Sequence, residues 1–318
     1  MPRISVLVPS YRRPESLSRC LAALSAQQRR PDEVIVGARV GDDATIAAAE
    51  AARHLGLTVH IAMTAEAGVV AAMQAALDAA SGEIIALTDD DARPFDTWIG
   101  GLLAHFEAAS DVGGVGGRDW QPHERWDEQR VGVVQWFGRV IGNHHLGAGP
   151  ARAVDVLKGA NCSFRAPLLR AVGFDRRLRG EGAQMYWELG LCLPLRRAGW
   201  RLIYDPAVAV HHDVAPRHGD DQLHRGVFVA APLCDAVHNE TVELLEGRGV
   251  LPRAVFLVWA FLIGSSEGPG LAQLARRVLR GDATAIARWR AAATGRADGA
   301  ATARREPRIL HVPRPPTS

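Results

Sequence analysis

Through its N-terminal third the chain alternates short apolar runs with stretches of helical periodicity. Residues 4–9 are an apolar run that predicts a strand. Pro14 then fits the first turn of a helix whose apolar positions Leu17, Cys20, Leu21 and Leu24 fall at i, i+3, i+4 and i+7. Residues 33–36 form a second strand, after which Asp43 is placed to cap a helix through Ile46 and Ala49. Residues 58–62 read as a third strand, 68–80 as an alanine-rich helix and 83–88 as a fourth strand. A helix from near Pro94 would put Trp98, Leu102, Leu103 and Phe106 on one face, and 112–115 is a glycine-interrupted fifth strand. This alternation predicts an α/β fold of right-handed βαβ units, with a mostly parallel sheet flanked by helices.

Over residues 118–155 the periodicity loosens into Gly, His, Trp and Arg, as in a lid or binding loop. Regular pattern returns with an ordered run at 155–157, helices at 166–172 and 186–197, and a strand at 201–204. Beyond Asp220 the chain reads as helical, and from Gly295 its Arg-, Pro- and Ala-rich composition predicts a disordered tail. The expected organisation is an α/β domain over 1–215, a C-terminal helical extension over 216–294 and a tail over 295–318.

Composition narrows the class. With 47% hydrophobic and 23% charged residues, the 318-residue chain is of ordinary globular type and long enough for a substantial core. Lys+Arg of 37 against Asp+Glu of 35 offers no electrostatic case for nucleic acid as a partner. Lys158 is the only lysine among those basic residues. Cys20, Cys162, Cys192 and Cys234 form no CxxC pair and read as reduced packing residues. The first strand begins with no secretory-type apolar region before it, and the apolar stretch at 255–263 is about half of what spans a bilayer. A cytoplasmic protein is expected. The 255–263 stretch is read as buried core or a partner interface such as a homodimer, with peripheral contact at the inner face of the membrane as the alternative. In that alternative Arg276, Arg277, Arg280, Arg288 and Arg290 would add attraction to anionic lipid.

The chemistry gathers at Asp89-Asp90-Asp91, directly after the apolar residues 84–87 and Thr88. In open α/β sheets ligands bind beyond the carboxyl ends of strands. Adjacent carboxylates there repel one another unless a cation neutralises them, and Mg²⁺ or Mn²⁺ prefers oxygen ligands and often bridges to phosphates. The other reading of the same acids is a helix N-terminal cap, where negative charge also favours the dipole.

Several segments in order resemble the inverting family 2 glycosyltransferases of GT-A fold, a Rossmann-like architecture. The opening Ile4-Ser5-Val6-Leu7-Val8-Pro9-Ser10-Tyr11-Arg12-Arg13-Pro14 is similar to that family's first strand and nucleotide-binding turn. Asp32-Glu33-Val34-Ile35-Val36 resembles its second strand, and the segment from Gly82 through Asp91 resembles the strand ending in its DxD element. Gly173-Phe174-Asp175, Trp187-Glu188, Arg196-Arg197-Ala198-Gly199-Trp200, Tyr204-Asp205-Pro206 and the strand ending at His212 continue the likeness over residues 3–215.

The resemblance implies transfer of a sugar, with inversion, from a UDP-, GDP- or dTDP-sugar to a glycan, lipid-linked or small-molecule acceptor, assisted by Mg²⁺ or Mn²⁺. It places Pro9, Ser10, Tyr11 and Arg12 at the nucleotide, Asp89 and Asp90 at the ribose and diphosphate, Asp91 and His212 on the metal, and Glu188 as general base. Two departures stand out. A second acid that relatives often carry two residues after Glu188 is Gly190 here, and the usual Asp-Asp-Gly-Ser type of turn reads Gly37-Ala38-Arg39-Val40-Gly41-Asp42-Asp43. Either Arg39 or Asp42 is then expected to take over contact with the base, or the family's usual preference for uridine is altered. Lys158 and Asn161, and the loop carrying Arg179 and Gly182, are candidates for donor or acceptor sugar contacts. The departures keep open a nucleotide-sugar-binding protein that has lost catalysis. A haloacid-dehalogenase-type phosphatase also uses an acid-rich strand end, but on its first core strand.

Overall fold

Every residue of the first strand, β1 (Ile4–Ser10), is buried, as a strand covered by helices on both faces must be. The computed structural model describes residues 1–121, 128–213, 215 and 228–316. After β1 come α1 (Pro14–Ser25), β2 (Glu33–Arg39), α2 (Asp43–Ala51), β3 (Val59–Thr64), α3 (Val69–Ala79), β4 (Ile84–Thr88), β5 (Ala92–Pro94), α4 (Trp98–Ala108) and β6 (Val112–Trp120). A small hairpin, β7 (Val133–Val134) and β8 (Val140–Ile141), precedes β9 (Arg152–Val154), β10 (Asn161–Arg165), α5 (Ala166–Val172), α6 (Trp187–Arg197) and β11 (Arg201–His212). The chain closes with α7 (Ala230–Leu245), α8 (Val250–Leu262), α9 (Leu271–Leu279) and α10 (Ala285–Arg305).

The main sheet runs β3-β2-β1-β4-β10-β6-β11-β5, with β9 also pairing β11. Strands β1 to β4 are mutually parallel, with β1 between β2 and β4. β10 then runs antiparallel between β4 and β6, and β6 is parallel to β11. This reversal positions the site. Asn161, the first residue of β10, lies opposite Thr88, the last of β4, while β6 and β11 deliver their own carboxyl ends to the same edge. Apolar clusters fill both faces of the sheet, one around Leu17, Leu21, Trp98 and Leu102, the other around Met73, Phe164, Leu195 and Tyr204.

Four expectations are corrected. The cap of α2 is Asp42 rather than Asp43, its carboxylate accepting from Thr45 N (3.3 Å) and Thr45 Oγ1 (2.7 Å). The helix expected near Pro94 begins at Trp98, because residues 92–94 pair antiparallel with the end of β11 as an edge strand, where proline is tolerated. The fifth strand continues past Val115 to Trp120, since β11 pairs with it as far as Trp120, whereas β10 pairs only with Gly114, Val115 and Gly116. The stretch from Gly295, expected as a tail, is helical to Arg305. Apart from Arg296, its buried face is built of small residues, among them Ala291, Ala292, Gly295, Gly299 and Ala303, so composition hides it. A Cβ on Gly299 would sit 2.6 Å from His238 O, which shows how closely α10 lies against α7. Residues 306–316 then run irregularly but attached: Trp200 Nε1 donates to Pro313 O at 2.7 Å, and Arg308 reaches Asp175 at 3.6 Å. The helical reading of 216–227 lies outside the described residues.

Candidate active site

The acids after β4 split into different environments. Asp90 is fully buried, accepts from Ser10 Oγ at 2.7 Å and pairs with Arg13 Nη2 at 2.7 Å. Burial dominates all the same, pushing its carboxyl up to about 7. Asp91 Oδ2 accepts from Arg13 Nη1 (3.0 Å) and Ala215 N (2.9 Å), leaving Oδ1 toward His212 Nε2 at 3.4 Å. Burial opposes its ionisation, but His212 and Arg13 outweigh it and hold this carboxyl well below the ordinary range. Asp89 is pushed the other way by burial and then by the Asp91 charge.

His212 is gripped from both sides. Its Nδ1 lies 3.3 Å from Asp119 Oδ2 and its Nε2 faces Asp91. Although burial disfavours the charged ring, the two carboxylates raise it to about 9. Asp119, buried at the end of β6, is also bonded to Lys158 Nζ. Burial resists its charge, but Lys158 and His212 keep its carboxyl far below the usual range. Lys158 is likewise stabilised as a cation against its own burial, chiefly by Asp119, with Asp89 and Glu188 adding to the field. Glu188, in the first turn of α6, accepts from Gly159 N at 3.1 Å. Burial raises its carboxyl above the ordinary glutamate value, with Asp89 contributing.

Asp89, Asp91 and His212 can each present one ligand atom so that all lie within 4.8 Å of one another. Two carboxylate oxygens and one imidazole nitrogen suit a divalent cation, and the surplus negative charge between Asp89 and Asp91 is what such an ion would relieve.

At the β1 end, two guanidiniums lie near the Tyr11 ring, Arg12 at 5.1 Å and Arg39 at 5.4 Å from its centre. Pro9 is buried in register with Gly37. Asp42, a candidate for base contact, is buried and spent on the chain itself. Its carboxylate accepts from Arg12 N at 2.6 Å besides capping α2, and these bonds lower its pKa against the effect of burial.

Two sugar-contact candidates have partners of their own within the chain. The Asn161 side chain is fully buried, accepting from Trp98 Nε1 (2.8 Å) and donating to Val208 O (2.8 Å) and Arg118 O (3.1 Å), so its amide secures the strand ends. Arg179 is tied to the C-terminal helices through Asn239 and Asp298, each at 2.8 Å. Gly182 accepts from Val69 N at 2.9 Å, and Gln184 accepts from Val70 N at 2.9 Å, so this loop closes over the start of α3. At Gly190 a Cβ would lie 2.6 Å from the carboxyl carbon of Glu243 of α7. That carboxylate fills the space left by the missing side chain, but its charged neighbours are Asp175, Arg308 and Arg177, not Glu188. Arg13 and Asp119 were not singled out by sequence. Arg13 belongs to the quoted opening motif, whereas Asp119 falls where periodicity is lost.

With this geometry in place, comparison with known proteins assigns the class. The profile of the family described as glycosyltransferase-like family 2 matches residues 2–225, and the chain belongs to that family. A pre-mycofactocin glycosyltransferase of Mycobacterium tuberculosis is 27% identical over 223 residues, covering 67% of this chain but only 43% of that protein. The chain thus spans less than half the length of the curated relative it matches. The fold is the GT-A glycosyltransferase fold. S. aureus TarS 1–349, solved with UDP-GlcNAc, has a TM-score of 0.60 at 17% identity, covering 91% of this chain and 79% of that one. The mannosyltransferase PcManGT of Pyrobaculum calidifontis, solved with GDP-Man and Mn²⁺, has a TM-score of 0.57 at 21% identity, covering 94% and 84%.

Proposed function

We propose that this protein transfers a sugar from a nucleoside-diphosphate donor to an acceptor hydroxyl or amine, with inversion at the anomeric carbon. The observation that carries the reading is the meeting of Asp89, Asp91 and His212 at the carboxyl edge of the sheet, in the electrostatic field shared with Lys158 and Glu188. Family membership and the nucleotide sugars bound by TarS and PcManGT support the donor class. The Tyr11, Arg12 and Arg39 cluster offers an aromatic face and two cations to the nucleotide.

Asp89, Asp91 and His212 would hold Mg²⁺ or Mn²⁺, which when bound supplies positive charge to the departing diphosphate. Ser10 and Arg13 fix Asp90 and Asp91. Lys158, anchored on Asp119, adds a fixed positive charge. Glu188, oriented by Gly159 N–H, takes the acceptor's proton while the acceptor atom bonds to the anomeric carbon and the bond to the diphosphate oxygen breaks. A raised carboxyl pKa suits a base that must be strong enough to accept that proton. A single displacement of this kind inverts the configuration.

The test is incubation with UDP-, GDP- and dTDP-sugars and Mn²⁺, following released nucleoside diphosphate and the anomeric configuration of the product by NMR. Release that gives an inverted product supports the reading. Folded protein that binds these donors yet releases nothing with any acceptor, or a product of retained configuration, contradicts it.

A further inference from the structure

We propose that the outward faces of α8 and α9 dock this protein on an anionic lipid surface. No residue of α9 is buried, and its Leu271, Val278 and Leu279 are exposed, Leu279 by 87%. Val258, Phe261 and Leu262 of α8 are each about half exposed. The loop between the helices turns back on itself through the Gly264–Pro269 bridge, which brings the end of α8 to the start of α9. The β7–β8 hairpin adds an aromatic anchor. Its Phe137 packs on Trp259 of α8 at 5.2 Å between ring centres, while the adjoining Trp136 is 78% exposed. A tryptophan so placed is suited to the boundary between lipid and water.

Charge decides the occupant. Between residues 250 and 290 the only acids are Glu267 and Asp282, and both are engaged: Glu267 accepts from Tyr186 Oη at 2.9 Å, and Asp282 pairs with Arg277 at 2.8 Å. Arg276, on the polar side of α9, and Arg280, just past its end, are exposed and pair with no acid among the described residues. A short helix with one apolar face and an arginine-rich remainder lies flat in a membrane interface. Among the described residues no helix is long and apolar enough to cross a bilayer, so the contact is interfacial. A second copy is a poorer occupant. Two-fold pairing would set this cationic rim against itself without counter-charge, whereas anionic headgroups satisfy both the arginines and the apolar side chains.

The test is co-sedimentation of the whole chain with vesicles of phosphatidylcholine alone or mixed with phosphatidylglycerol. The protein is expected to sediment with the mixed vesicles, less so as salt rises. Removing each of Arg276 and Arg280 by Arg→Gln should weaken partitioning about five-fold. Leu279→Glu should weaken it further, with unchanged circular dichroism. Equal sedimentation with and without phosphatidylglycerol would overturn the proposal. So would Leu279→Glu dissolving a dimer seen by light scattering while vesicle binding stays as it was. Sedimentation reads no turnover, so either outcome is independent of the transfer chemistry.

Discussion

At Glu188 two demands meet in one side chain. As the proposed base it must be ionised to accept a proton, yet burial and the Asp89 charge favour its neutral form. Glu188→Gln keeps the shape and removes the base, so kcat should fall by about 10²–10⁴ while nucleotide affinity changes little, which steady-state kinetics and titration check together. The sign of the pH dependence follows from the raised pKa. The proposed transfer requires the deprotonated carboxylate, so activity should fall as pH drops through the raised folded-state value, and the acid limb of kcat/KM should lie above the ordinary glutamate value of 4.5. An acid limb at or below that value would remove Glu188 from the role. Asp119→Asn probes the support beneath the site. It removes the charge that anchors Lys158 and His212. Metal-dependent nucleotide binding is therefore expected to weaken at least ten-fold, the typical cost of losing a partner that orients a metal ligand.

The elements show what periodicity reveals and what it conceals. β1, α1, β2, α3 and β4 were legible because each has a clean run or an i, i+3, i+4 stripe, and the acid cluster was legible because it ends a buried strand. β5 was hidden by Pro94, and its three residues form a strand only by pairing with β11. The reversal at β10 cannot be read from alternation, because direction is decided by which neighbours the strand joins. Asp119 was concealed by the glycines of β6, and with it half of the His212 environment. Contact with α7 also explains Gly190. Gly190→Ala would force a methyl group onto the buried Glu243 carboxyl, with an expected loss of about 1–3 kcal/mol in denaturant unfolding. Unchanged stability would mean that α6 and α7 are not so closely packed.

On the scale of the whole molecule, the C-terminal helices and the segment after them belong to the structure that carries the site. Arg177 bridges Asp175 (2.5 Å) and Glu246 (2.8 Å), while Arg308 supplies a second cation to Asp175 from beyond α10. These groups are largely buried, so taking one cation away leaves a carboxylate without full compensation. Arg308→Ala should cost about 3 kcal/mol in unfolding experiments. A loss within experimental error would detach the terminal segment from the fold's stability. Composition alone read that segment as a tail because neither its small-residue helix face nor its arginine contacts produce a hydrophobic signal.

The central claim is that a divalent cation held by Asp89, Asp91 and His212 joins the protein to a nucleoside diphosphate. Calorimetric titration of UDP, GDP, CDP and dTDP, each with and without Mn²⁺, tests it most directly, with Asp91→Asn as the matched variant and thermal melting to confirm its fold. The account predicts that at least one nucleotide binds with Mn²⁺, much more weakly without it, and more weakly still to folded Asp91→Asn. Binding that is indifferent to both the metal and the substitution, or no binding by any of the four, would contradict it.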